Sequence, residues 1–189
     1  MLHDYLGPDA FRDGLRHYLK THSYKNTHTV DLWQALEDVS KKPVKEFMHA
    51  WTSQAGYPLV SVDIENDHLK ITQQKFVTNP ASVARKDKDL WPIPLLTHDV
   101  EKATVEKART NVPFNGNAPL QLNIGQTGFY RVDYSHEMQT KQLQAIDSGD
   151  LPAIDRMGLL SDGLEVTKAG FQPVTEYLDL LTHYENEDS

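Results

Sequence analysis

The sequence predicts an α+β chain in three pieces, helical at both ends and β in the middle. Two changes of period carry this prediction. Apolar residues recur at helical spacing up to Pro58, alternate in short runs between Leu59 and Tyr134, and return to helical spacing after Ser135. The third observation is size: 189 residues, 39% hydrophobic and 24% charged, suffice for one domain or two small ones and exclude a complete large enzyme.

In the first piece, residues 1 to 58, Gly7 closes an opening turn and Pro8 stands near the first position of a helix. On that helix Phe11, Leu15, Tyr18 and Leu19 share a face at i, i+4, i+7 and i+8. A further helix carries Leu32, Trp33, Leu36 and Val39 behind a cap at Thr29, with Asp31 in its first turn. The last opens at Pro43, aligns Val44, Phe47, Met48 and Trp51, and stops at Gly56 with Pro58 beyond.

In the second piece, residues 59 to 135, Val60, Val62 and Ile64 alternate with Ser61, Asp63 and Glu65. The turn residues Asn66 and Asp67 follow, and Leu69 and Ile71 resume the alternation, which predicts a hairpin. Trp91, Ile93 and Leu95 alternate with Pro92 and Pro94, whose missing N–H groups lie on one flank and mark a sheet edge. Leu120, Leu122 and Ile124 lead through Gly125-Gln126-Thr127-Gly128 into Phe129, Tyr130, Val132 and Tyr134, a second expected hairpin. Val100 to Thr110 fits neither period. Short strands and turn clusters over about 75 residues predict a small antiparallel β-sandwich.

In the third piece, residues 136 to 189, Ser135 caps a helix. Asp150-Leu151-Pro152 then opens another with Ile154, Met157, Leu160 and Leu164 inward, ending near Gly170. Pro173 opens a last one carrying Val174, Tyr177, Leu178 and Leu181, so the pair reads as an αα-hairpin with one naked face. The acidic end Glu185 to Ser189 reads as a solvated terminus.

With 19 Lys and Arg against 27 Asp and Glu, the net charge is −8, the wrong sign for a phosphate backbone or an anionic membrane. Neither nucleic acid nor membrane is an expected partner. No apolar run reaches 18 residues, and the opening MLHDYLGPDAF carries an acid where a signal peptide carries basic residues. There is no cysteine, hence no disulfide, thiolate metal site or cysteine nucleophile. The composition suits a cytoplasmic protein.

The search for chemistry assigns no catalytic, cofactor-binding or metal-binding residue. None of His3, His17, His22, His28, His49, His68, His98, His136 and His183 has a second histidine at i+4, the spacing that turns two imidazoles on a helix toward one zinc ion. His136-Glu137 is followed by Met138-Gln139-Thr140, so it does not extend to H-E-x-x-H. His17 and His22, five apart, diverge by about 140° on a helix. Gly125 to Gly128 reads as a tight turn whose glycines supply positive φ, with an anion-binding nest as the other reading. Trp33, Trp51 and Trp91 fall on core stripes, which favours packing over a ligand platform.

Several runs together resemble one family. They are L-G-x-x-x-F-R-x-G-L-x-x-Y-L at Leu6 to Leu19, T-x-x-L-W at Thr29 to Trp33, and F-M-x-x-W-T-x-Q-x-G-Y-P at Phe47 to Pro58. Leu90-Trp91-Pro92-Ile93-Pro94-Leu95, NIGQTGFY at Asn123 to Tyr130 with Arg131 after it, and Asp155 to Asp162 (DRMGLLSD) continue the series. In this order, over nearly the whole chain, they resemble the zinc aminopeptidases of the aminopeptidase N and puromycin-sensitive type. The resemblance implies three parts: the C-terminal helices of a thermolysin-like catalytic domain, a small sandwich, and the first helices of an α-solenoid. It also implies that the zinc motif, the glutamate ligand and the transition-state tyrosine precede this segment. The implied parent cleaves N-terminal residues from peptides, with zinc polarising the scissile carbonyl and activating water, while this segment braces the site and is itself inactive. A stand-alone, non-catalytic interaction module is the alternative, and wet helical faces at both ends predict self-association.

Overall fold

The computed structural model describes residues 1–79, 89–97, 104–114, 119–185 and 187. His98, Val100 to Ala103 and three positions of the acidic end, Asn186, Asp188 and Ser189, lie outside the described residues. The chain divides into two compact units, Met1–Ala55 and Gly56–Ser189.

The first unit is all helical: α1 (Leu2–Leu6), α2 (Pro8–Thr21), α3 (Thr29–Ser40) and α4 (Val44–Ser53). Gly7, at φ 91°, lets α1 stop and α2 begin at Pro8 without a linker. The cap of α3 sits one residue earlier than expected. His28 is extended at the N-cap, its N–H donates to the Asp31 carboxylate at 2.8 Å, and Thr29 is the first helical residue. Leu6, Leu36 and Val44 form the buried centre, with Tyr5, Phe11 and Trp33 packed around them. The Tyr5 ring stacks on Phe47 at 4.2 Å between centroids. Helix α4 ends at Ser53, three residues before Gly56.

The second unit is built on a four-stranded sheet. Strands β1 (Pro58–Glu65) and β2 (His68–Lys75) form the expected hairpin, with Val62 opposite Ile71 and Ile64 opposite Leu69. Asn66, at φ 56°, closes the turn in the left-handed region that asparagine tolerates. Strand β5 (Arg109–Pro113) pairs antiparallel with β2, and β6 (Arg131–Tyr134) pairs parallel with β1, giving the order β5-β2-β1-β6. Strands β3 (Ile93–Pro94) and β4 (Thr104–Val105) form a separate two-stranded sheet. Buried Gln73 on β2 clamps the backbone of Trp91: its Nε2 donates to the Trp91 carbonyl and its Oε1 accepts from the Trp91 N–H, both at 2.9 Å.

The second expected hairpin is corrected. Leu120 to Asn123 is not a strand, and β6 joins β1 in parallel, so the main sheet is mixed rather than antiparallel. The backbone groups of this apolar run are taken up elsewhere. Leu122 N–H donates to the Tyr134 hydroxyl at 2.9 Å, the Gln142 amide donates to the Leu120 carbonyl at 2.8 Å, and Ile124 N–H donates to the Leu96 carbonyl at 3.0 Å. A segment whose polar groups are already satisfied in this way has none left for a ladder.

Three helices follow: α5 (His136–Asp147), with Ser135 at its N-cap position but no capping hydrogen bond from the Ser135 hydroxyl, α6 (Ala153–Lys168) and α7 (Val174–Thr182). The inward face of α6 differs from the expected one. Asp155, Gly158, Leu159, Asp162 and Val166 are buried, whereas Ile154, Met157 and Leu164 are exposed. Val166 and Ala169 close a core with Leu59 and Phe76, flanked by Tyr57 and Phe171. The helix is oriented by its two aspartates, whose backbone partners all lie on this side.

Candidate functional site

The polar feature of the second unit is a joint between α6 and the segment Asn123 to Val132. It is built on Asp155 and Asp162, seven residues apart and therefore nearly superposed on one face of the helix. Both are almost fully buried, at 3% and 7% exposure. A carboxylate taken out of water must be hydrogen-bonded or paired. Each is.

Asp155 accepts the Gly125 N–H at 2.7 Å. That amide points at the helix because Asn123, Gly125 and Gln126 are all left-handed, at φ 57°, 69° and 54°. The turn is held by Asn123: its carbonyl accepts from Gln126 N–H at 2.9 Å and its side-chain oxygen accepts from Gly128 N–H at 2.7 Å. The Gly125 to Gly128 segment thus combines the two readings offered by the sequence. It is a tight turn, though not between strands, and one of its N–H groups does hold an anion, the carboxylate of Asp155. Gln126 lies flat on α6 at Gly158, where an added Cβ would come within 1.9 Å of Nε2.

Asp162 accepts from two directions. Val132 N–H donates to one oxygen and the Arg131 guanidinium to the other, both at 3.0 Å. Burial pushes this carboxyl up to about 6, against the opposing pull of the Val132 N–H and Arg131. The guanidinium also donates to the Tyr57 hydroxyl at 3.3 Å and lies 5.7 Å from the centre of the Phe76 ring. Burial opposes the Arg131 charge, yet the Tyr57 and Asp162 oxygens outweigh it and hold its pKa above the ordinary value. One residue along β6, Asp133 accepts from Gln172 at 2.6 Å and Ser61 at 3.1 Å, and burial raises it too.

The arrangement fixes a helix to a strand and a loop and offers no open acid, base or nucleophile. Among the described residues no three His, Cys, Asp or Glu side chains come together as a metal site. The described histidines are dispersed. His183 meets Asp147 at 2.7 Å, His3 meets its neighbour Asp4, and His136 is 3.7 Å from Glu176. The described residues offer no set that fits a zinc ion, and no catalytic step is assigned to them. Trp91 is wholly buried in the second unit, and Trp33 packs in the first.

Asp155, Asp162 and Arg131 fall within the resemblance motifs, which assign them no role. No local signal marks them: at i and i+7 the two aspartates lie on the face opposite Ile154, Met157, Leu160 and Leu164, where charges read as solvated. The two motifs, Asn123 to Arg131 and Asp155 to Asp162, are the two sides of this one joint.

Comparison with known proteins bears on the same segments. Residues 1–51 match the Peptidase family M1 domain, and residues 120–189 match the ERAP1-like C-terminal domain. Aminopeptidase M1-A of Oryza sativa subsp. japonica is 34% identical over 204 residues, covering 99% of this chain and 22% of that protein. Puromycin-sensitive aminopeptidase of Caenorhabditis elegans is 34% identical over 202 residues, covering 100% and 21%. Tricorn protease-interacting factor F2 of Thermoplasma volcanium is 33% identical over 188 residues, covering 100% and 23%. The chain therefore spans less than a quarter of the length of these relatives. The structure is α+β with a mixed sheet, and the two family matches cover its two helical ends. The chain belongs to peptidase family M1.

Proposed function

We propose that the chain is the brace of a zinc aminopeptidase: it connects the catalytic domain to the C-terminal helices and performs no hydrolysis by itself. On this reading residues 1–58 are the helical end of the thermolysin-like domain, 59–135 the small β-sandwich and 136–189 the start of the helical solenoid. The parent releases N-terminal residues from peptides in the cytoplasm. Zinc, held by residues outside this chain, supplies Lewis-acid activation when bound. What supports the brace reading is the Asp155 and Asp162 joint, which uses two buried carboxylates to orient a helix.

Among the described residues no helix is long and apolar enough to cross a membrane. The test is an aminoacyl chromogenic substrate offered to the purified 189-residue chain with and without zinc. No turnover above the buffer rate is expected in either. Turnover that a chelator abolishes overturns the proposal.

A further inference from the structure

We infer that α7 is a strap over the cleft between α5, α6 and β6, fastened at its two ends and able to lift while the rest of the second unit stays folded. The contrast between what lies beneath α7 and how α7 itself is packed carries this. Buried Val132, Tyr134 and Leu159 line the cleft on one side, and Tyr177 and Leu180 of α7 line it on the other. Helix α7 has no buried residue of its own. Its inward side chains rest on Gly163 of α6, where an added Cβ would come within 3.2 Å of Leu180 and 3.3 Å of Tyr177. The space left between the two sides is about 50 Å³, room for a few waters, so the strap is laid on the cleft without filling it.

The fastenings are polar and stand at the ends. Ahead of α7, Phe171 packs on the core of Leu59 and Phe76, and Gln172 donates to Asp133 at 2.6 Å and to the Tyr134 carbonyl at 3.1 Å, so the chain is fixed as far as Pro173. Glu176, in the first turn, faces the first residue of α5, His136, at 3.7 Å. At the far end His183 meets the last residue of α5, Asp147, at 2.7 Å. The Tyr184 hydroxyl donates to the Arg156 carbonyl at 2.7 Å, and the Arg156 guanidinium donates to both Glu187 oxygens at 2.5 and 2.6 Å. The ion-paired side chains all reach solvent, and a pair open to water is exchanged for hydration at little cost. A segment held by exposed polar ties, with few buried apolar contacts, belongs to the low end of a protein's range of local stabilities. Pro173 is then the pivot and the His183 to Glu187 segment the clasp.

The experiment uses the absence of cysteine from the 189-residue chain, which makes a single introduced thiol the only one to react. Leu159→Cys places it beneath the strap and Leu69→Cys places it in the sheet core, where the native leucines are 6% and 0% exposed. Each protein is treated with dithiobis-nitrobenzoate, whose disulfide the cysteine thiolate attacks, releasing one half as a coloured thiolate. Urea unfolding of the same protein gives the rate that global unfolding alone would allow. The Leu159→Cys protein is expected to react roughly tenfold or more above that rate, and the Leu69→Cys protein at it. Removing a clasp tie by Asp147→Ala or by Glu187→Ala is expected to speed the first reaction roughly two- to fivefold, the scale of one exposed ion pair, and to leave the second unchanged. His183→Ala removes the Asp147 tie from its other side and gives the same reading should Asp147→Ala disturb α5. Reaction of the Leu159→Cys protein at its global unfolding rate, or clasp variants that speed both proteins alike or neither, overturns the proposal.

Discussion

Asp162 is the residue through which solution conditions reach this fold. Its carboxyl titrates near 6 when folded and at an ordinary 3.8 when the chain is open. The folded form thus holds its proton more tightly, and this contribution to stability is fully present below about pH 4 and is lost as pH rises through 6. Urea unfolding between pH 4 and 7 should show that decline, and Asp162→Asn should flatten it; equal slopes in the two proteins would exclude Asp162 as the source. At pH 7 the same variant strips Arg131 of its charge partner, and a loss of about 1 to 3 kcal/mol is expected. Gly158 gives a second test. Alanine there gains about 1 kcal/mol of helix propensity but drives the Gln126 amide off its hydrogen bonds to Asn123, so Gly158→Ala alone should gain less than that. In a Gln126→Ala background the full gain should appear, and additive effects in the double-mutant cycle would disprove the contact.

Helix α6 shows which part of an element's orientation is legible in sequence. Period locates the helix, because Ile154, Met157, Leu160 and Leu164 recur at helical spacing whichever face is inward. The face itself was misread, since hydrophobicity favoured Ile154 and Met157 over two aspartates. What reversed it was a partner set more than twenty residues away, the amides of Gly125 and Val132, which no local pattern reveals. The same non-locality explains the missed parallel pairing of β6. Hairpin β1–β2, joined by a two-residue turn, was readable for the opposite reason. One expectation survives the correction in altered form: α6 exposes Ile154 and Met157, and α7 exposes Val174 and Leu178, the last at 55%. These stripes should drive concentration-dependent association. Sedimentation velocity should find oligomers in the unaltered 189-residue chain and a monomer after Met157→Lys with Leu178→Lys, with stability within about 0.5 kcal/mol because the side chains are already wet.

At the scale of the whole molecule, each unit has its own core, Leu6, Leu36 and Val44 in one and Leu59, Phe76, Val166 and Ala169 in the other. A chain beginning at Gly56 is therefore expected to fold, with an amide spectrum that superposes on that of the same residues in the full sequence; a collapsed spectrum would show that the helical unit is required. The joint was not legible in residue types, because it depends on backbone N–H groups that every residue but proline possesses and only the fold can aim.

The parallel partnership of β1 and β6 also sets an order of events. Ser61 and Asp133, neighbours across that pairing, are 72 positions apart, whereas β1 and β2 meet through a two-residue turn. Closing the longer loop carries the greater entropy cost, so the hairpin forms early and β6 arrives late, together with the helix whose aspartate holds Val132. Until then one flank of β1 presents unpaired backbone groups, as an open sheet edge does. During synthesis that edge waits for some seventy further residues to leave the ribosome, roughly 4 to 15 s at ordinary elongation rates, and it is the place where a nascent chain of this kind is most exposed to pairing with the wrong strand.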